Sequence, residues 1–218
     1  MQAIILGCGS LLSHIEAAQV KMQTDFPVVE LDRKYHVDPR QMQQEILTKL
    51  QQLPAEVDTV LVAMGFCGGS WQGVRPGRRL VMPRVDDCVT LLLHTDDSPN
   101  FNLKQGRHFY LRDSERGEHS LAAMQQRLCE PHGDEQGAAI FRSWFANYRE
   151  ADIIDTGAYD SQAADFLAEA SQNAELAGCR LNHVPGSNLL LEKLVSGRWD
   201  EQFVVVEPGQ AVELDLFV

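Results

Sequence analysis

Four side chains that commonly bind metal ions are spread over the first hundred residues of this chain. They are Cys8, His36, Cys67 and Cys88. Thiolate sulfur and imidazole nitrogen are ligands that zinc prefers, and three thiolates can also hold a [4Fe-4S] cluster. The four residues form no CxxC pair, so the fold has to bring them together from separate segments. Together they predict a metal site or a reactive thiol.

Each of the four residues follows a short apolar segment that is typical of a buried strand. These predicted strands are Ala3–Leu6, Val28–Leu31, Thr59–Met64 and Arg79–Met82. Helical spacing follows over Leu11–Met22 and from Pro39 to about Leu53. A short helix is also predicted over Val89–Leu93. Since the carboxyl ends of parallel strands meet at one edge of a sheet, we expect the four side chains to lie near each other.

Strand and helix patterns keep alternating to the end of the chain, which is typical of an α/β protein. We therefore expect a mostly parallel, Rossmann-like sheet with helices on both faces. The 218 residues fit a single α/β unit, residues 1–218. They also fit two closely packed α/β halves, with the cysteine-rich half over residues 1–100 and the second over 101–218.

Two charged residues between the predicted strand Arg79–Met82 and Cys88 are candidate catalytic residues. Arg84 could hold a carboxylate or phosphate through two parallel hydrogen bonds. Asp87 could orient His36 or another ligand from outside the metal shell. Either Asp86 or Asp87 could cap the short helix, and we expect the cap to be Asp86. Ser10 is the expected N-cap of the first helix.

Gly68 and Gly69 follow Cys67 directly and are the candidate cofactor-binding positions of the backbone. They belong to no GxGxxG fingerprint, so a dinucleotide is not indicated. Free cysteine is also among the most buried residue types, and the site cysteines could simply be small apolar residues in tight turns. Cys129 and Cys179 are expected to be structural, and a loop histidine such as His36 is often just exposed.

Composition excludes several classes of partner. The net charge of −12 argues against nucleic acid, because phosphate binding needs a basic surface. Apolar runs are too short for a membrane span, and no basic or cleavage-type segment precedes the first strand. The five cysteines are an odd number, which favours reduced thiols or metal ligands over a disulfide framework. We therefore expect a cytoplasmic protein.

The chain resembles the bacterial and archaeal family called domain of unknown function 1638. The resemblance covers nearly the whole chain and is carried by four motifs: Gly7-Cys8-Gly9, Tyr35-His36-Val37-Asp38-Pro39, Gly65-Phe66-Cys67-Gly68 and Pro83-Arg84-Val85-Asp86-Asp87-Cys88. The chain departs from the family at His94, where glycine is common, and around Asp113–His119. The resemblance implies a gene context linked with corrinoid-dependent methyl transfer and one-carbon metabolism, without an established reaction.

Two main functions follow as hypotheses. The first is a metal-dependent enzyme, with zinc or a [4Fe-4S] cluster at the strand edge, that performs methyl transfer or thiol chemistry on a small-molecule substrate or with a corrinoid or methyltransferase partner protein. The second is an accessory protein that binds a metal, an iron–sulfur cluster or a corrinoid without its own catalysis. A plainer third hypothesis is that zinc only stabilises the fold.

Overall fold

The computed structural model describes residues 2–218 and divides the chain into two compact units. The first unit contains the residues up to Leu103 together with Ser187–Val218, and the second contains Lys104–Gly186. The chain therefore leaves the first unit, builds the second and returns. All four candidate metal ligands belong to the first unit.

The first unit is built on a five-stranded sheet. Its strands are β1 (Ala3–Cys8), β2 (Val28–Leu31), β3 (Thr59–Ala63), β4 (Arg79–Pro83) and β8 (Phe203–Val206). They lie in the order β2-β1-β3-β4-β8, with β1 to β4 parallel and β8 antiparallel to β4. Every residue of β1 and β3 is buried, as expected for central strands of a parallel sheet.

Four helices belong to the same unit: α1 (Leu12–Met22), α2 (Pro39–Gln52), α3 (Cys88–Leu93) and α7 (Leu189–Ser196). Short 3-10 turns follow the first three strands at Gly9–Leu11, Arg33–Val37 and Cys67–Gly69. Asp38 caps α2 by accepting hydrogen bonds from the N–H groups of Arg40 and Gln41. With Pro39 at its first position, α2 begins where the sequence predicts.

The second unit contains a parallel sheet of three strands in the order β5-β6-β7. Its elements are β5 (His108–Leu111), α4 (Leu121–His132), α5 (Asp134–Phe145), β6 (Glu150–Asp155), α6 (Ala164–Ala177) and β7 (Arg180–Pro185). Leu111, Ala151 and Ile153 of the sheet pack against Phe166 and Ala170 of α6. These contacts form the unit's apolar core.

The predicted α/β class with mostly parallel strands is confirmed. One local prediction is wrong: Ser10 does not cap α1 but lies inside the 3-10 turn that precedes it. The strand β1 also continues to Cys8, whose side chain accepts a hydrogen bond from the Ser10 N–H group and starts the turn. Within residues 2–218, no helix is long and apolar enough to cross a membrane.

A buried lysine ties the segment after α3 to the beginning of β8. Lys193 of α7 is fully buried, and its Nζ lies 2.6 Å from carboxylate oxygens of both Asp97 and Asp200. It also donates to Oε1 of Gln202, whose amide nitrogen bonds the buried ring of His94. These bonds join the segment after α3 to the residues directly before β8.

Replacing Lys193 by alanine is expected to lower the free energy of unfolding by about 1.5–3 kcal/mol, because charge-assisted hydrogen bonds are lost. Lys21→Ala is the matched control, since Lys21 also pairs with an acidic residue of the α7 region but is 66% exposed. An exposed pair of that kind contributes about 0–1 kcal/mol. Urea unfolding of both variants tests this, and equal losses would contradict the role given to Lys193.

Candidate functional site

The site lies where the strand order of the first sheet reverses. From β1 the chain moves to β2 on one side, and from β2 it crosses to β3 on the other side of β1. Open α/β sheets bind ligands in the crevice at the carboxyl ends of the strands beside such a reversal. Cys8 is the last residue of β1, and Cys67 follows β3 by a short turn. Two of the predicted residues therefore flank this position.

The other two predicted ligands are at the same edge of the sheet. His36 lies in the 3-10 turn after β2, and Cys88 is the first residue of α3 after β4. The register pairs Cys8 with Leu31, the last residue of β2. All four side chains thus follow parallel strands at their carboxyl ends, as the sequence predicts.

Cys8 is the centre of this cluster. Its Sγ lies 3.1 Å from Nε2 of His36 and 3.0 Å from Oγ of Ser10. The Ser10 N–H group also donates to the sulfur at 3.4 Å. A buried sulfur with three polar neighbours is suited to carry a negative charge.

The Cys88 thiol influences the pKa of Cys8. Its hydrogen bond to the Cys8 sulfur is the largest cause that lowers the pKa of Cys8 to about 4, and His36 and Ser10 lower it further, against the opposing effect of burial. The pKa of Cys88 is raised well above its usual value by its hydrogen bonds with Cys67 and Cys8 and by burial. The site therefore holds Cys8 as thiolate and Cys88 as neutral thiol.

Burial differs across the cluster. Cys8 and Cys88 are buried, with 0% and 4% exposure, while Cys67 is partly exposed and His36 is exposed. All five cysteines are free thiols in the part of the chain that the structure describes. One side of the cluster is therefore closed by the protein, and the side of Cys67 and His36 is open.

The structure brings the predicted ligands together without a finished metal cage. Among residues 2–218, no group of three or more His, Cys, Asp and Glu side chains is arranged to hold a metal ion. The Cys8 sulfur bonds Nε2 of His36, and the pKa of Cys88 is raised by its interactions with Cys67 and Cys8. The assignment of these residues as metal ligands stays a prediction.

Hydrogen bonds join the backbone turn that carries Cys67 to the turn that precedes Cys88. The N–H groups of Phe66 and Cys67 donate to the carbonyls of Val85 and Asp86, at 2.9 and 2.6 Å. Gly65 lies so close to Asp87, the residue after Asp86, that a Cβ on Gly65 would be 2.6 Å from the Asp87 backbone. Only glycine allows the two turns to approach this far.

The turn after β3 has an unusual backbone. Cys67 has a φ of 48°, and Gly68 and Gly69 have φ values of 66° and 87°. A residue other than glycine is uncommon in this left-handed region, and such strain is concentrated at functional sites. The two glycines keep the turn tight, and their role as cofactor-binding positions stays a prediction.

Asp87, and not Asp86, is the N-cap of α3. One oxygen of Asp87 accepts hydrogen bonds from the N–H groups of Val89 and Thr90, each at 2.9 Å. The prediction that Asp86 caps this helix is therefore wrong, because Asp87 is the residue directly before the first helical turn. The cap fixes the start of α3 and with it Cys88. The catalytic roles of Asp87 and Arg84 stay predictions.

Sequence reasoning missed Ser10 as a site residue. Its buried hydroxyl contacts the Cys8 sulfur, whereas the sequence suggested only a helix cap. The signal was present in the motif Gly7-Cys8-Gly9-Ser10, because a serine two residues after a cysteine in a tight turn can bond the sulfur by its backbone and its side chain.

The close approach of the two turns predicts that Gly65→Ala disturbs the site. The new Cβ meets backbone atoms of Asp87, so the turns have to move apart, at a cost of about 1–3 kcal/mol of stability. Gly77→Ala is the control, since its Cβ would have no atom within 4 Å. Chemical unfolding and thiol reactivity of Cys88 are the measurements. Equal stability and reactivity of both variants would contradict the packing described here.

The lowered pKa of Cys8 predicts a pH-dependent stability in metal-free protein. Because the folded pKa is about 4 and the ordinary value is 9.0, the stabilisation is complete above pH 9 and is lost as the pH falls towards 4. Between these values, the difference in unfolding free energy between wild type and Cys8→Ser should grow with pH, by at most about 1.4 kcal/mol per unit. A difference that stays constant from pH 5 to 8 would contradict the thiolate.

Comparison with known proteins gives a family without a reaction. The family described as protein of unknown function (DUF1638) matches residues 30–195, which is more than half of the chain and includes His36, Cys67 and Cys88. No curated protein and no solved structure matches the chain. The motifs seen in the sequence and the match over residues 30–195 agree: the chain belongs to the DUF1638 family.

Proposed function

We propose that this protein is a metal-dependent enzyme whose zinc ion is held by Cys8, Cys67 and Cys88, with the fourth position taken by His36 or left open for a substrate. The observation that carries the proposal is the position of all four side chains after parallel strands at the carboxyl edge of one sheet, with the Cys8 sulfur 3.1 Å from Nε2 of His36. Four segments far apart in sequence contribute one side chain each. Such convergence at the strand reversal is typical of an active site.

The donor atoms fit zinc. Three sulfurs and one imidazole nitrogen form a common zinc ligand set, and Cys8 and Cys88 are buried like the ligands of a protected site. In the metal-free chain Cys88 keeps its proton, and bound zinc would replace this proton. His36 and Cys67 are the more exposed ligands, so they are the ones that can reorient to complete the coordination.

The chemistry proposed for this site is activation of a thiol or methyl transfer to or from a thiol. Bound zinc lowers the pKa of a coordinated thiol or water and acts as a Lewis acid. The chain's own residues position the reaction: Asp87 fixes the start of α3, Ser10 bonds the Cys8 sulfur, and His36 lies on the open side. The substrate is a small molecule, or a methyl group delivered by a corrinoid or methyltransferase partner protein.

A [4Fe-4S] cluster held by the three cysteines is the alternative cofactor, with the fourth iron position open. His36 would then be a neighbour of the cluster and not a ligand. The accessory role, in which the protein binds a metal, an iron–sulfur cluster or a corrinoid without catalysis, uses the same residues.

A second candidate function is thiol chemistry without a metal. It is supported by the distance of 3.1 Å between the Cys8 sulfur and Nε2 of His36, which is the geometry of a nucleophile with its base. In this reaction class the Cys8 thiolate would attack an electrophilic carbon and displace its leaving group, and His36 would be placed to pass a proton to that leaving group.

Metal analysis of anaerobically purified protein tests the proposal. We expect about one zinc ion per chain, lost in Cys67→Ser and in Cys88→Ser because a tetrahedral site needs all of its ligands. Cys179→Ser is the control, since Cys179 lies in the second unit between α6 and β7 and should leave the metal content unchanged.

The other outcomes separate the alternatives. Iron and sulfide in the protein, together with visible absorbance, would show that the cofactor is an iron–sulfur cluster and not zinc. Metal that survives Cys67→Ser would overturn the ligand assignment. If the protein contains no metal and Cys8 is alkylated rapidly, the metal-free thiol function is supported. If it contains no metal and its thiols are unreactive with unchanged stability, both functions are contradicted.

A further inference from the structure

The guanidinium group of Arg84 has no counter-charge among residues 2–218. Arg84 follows β4 directly and is partly buried, and its Nε is inaccessible to solvent. Among residues 2–218, this nitrogen has no hydrogen-bond partner. Nor does any ion pair within the described chain involve the Arg84 side chain, although acidic residues outnumber basic ones by 31 to 19.

Two arginines around the start of β4 show the usual pattern. Arg78 donates to four backbone carbonyls around the end of α2, and Arg79 pairs with Glu207. Both are therefore satisfied by the protein itself. Partial burial of a cation without a partner costs free energy, so an unsatisfied nitrogen of this kind needs an explanation.

The backbone around Arg84 is fixed on two sides. Its N–H group donates to the carbonyl of Gln202 at 2.7 Å, and the carbonyl of Val85 accepts from Phe66 beside Cys67. Arg84 is thus held between β8 and the cysteine turn, four residues before Cys88. A rigid backbone lowers the entropy lost when its side chain binds a ligand.

We propose that Arg84 is the binding residue for an oxyanion of the substrate, a carboxylate or a phosphate. The planar guanidinium fork matches these groups through two parallel hydrogen bonds. The inference rests on the proposed function, since it names the substrate class of the same site. The reacting part of the substrate lies at the cysteines, and its anionic end lies on Arg84.

Calorimetric titration with inorganic phosphate and with malonate, at constant ionic strength, tests this inference. We expect one of the two probes to bind the wild-type protein, and the probe that binds identifies phosphate or carboxylate. Arg84→Gln should weaken binding roughly 10- to 100-fold, as expected when a charge-assisted bidentate contact is lost. The affinity of Arg84→Lys for the probe should lie between those of the wild type and Arg84→Gln, because lysine keeps the charge but lacks the planar guanidinium.

Arg79→Gln is the control variant, since it removes an equal charge whose partner is Glu207. It should bind the probe as the wild type does. Binding of neither probe, or equal binding by Arg84→Gln, would overturn the inference. Metal content is measured on the same samples. If Arg84→Gln keeps its zinc and no longer binds the probe, both proposals are supported. If the protein contains no metal and still binds the probe through Arg84, only the zinc proposal is overturned.

Discussion

The contact between the turn after β3 and the turn after β4 is the constraint on which the site depends. Two backbone hydrogen bonds and the absence of a side chain at Gly65 bring these turns together. Without this approach, Cys67 after β3 and Cys88 after β4 would not be held near each other. The Asp87 cap then fixes the first turn of α3, so the position of the Cys88 sulfur is set by backbone geometry.

Charge distribution inside the cluster follows from the same geometry. A buried thiolate is costly by itself, and Cys8 is tolerated as one because neighbouring groups bond its sulfur. Cys88 donates to that sulfur and keeps its own proton, so the two buried thiols hold one negative charge between them. A single charge is much cheaper to bury than two.

The sequence predicted the fold class and the placement of the four candidate residues at one edge of the sheet, because both depend on strand periodicity and on the rule that parallel strands end at one edge. The boundaries of β2 and the start of α2 at Pro39 follow from local patterns. The cap at Asp87 and the sulfur contact of Ser10 were missed, since adjacent candidates such as Asp86 differ only in backbone angles. The return of Ser187–Val218 to the first unit was also not predicted, because it depends on long-range pairing of β8 with β4.

This return has a consequence for the order of events during synthesis. The second unit is continuous in sequence and can fold as soon as it leaves the ribosome, whereas the first sheet has to wait for its last strand. Arg84 is anchored to Gln202, and β4 remains an open edge until Phe203–Val206 has been made. The surroundings of the cysteine cluster are therefore completed only after Gln202 and Phe203–Val206 have been synthesised.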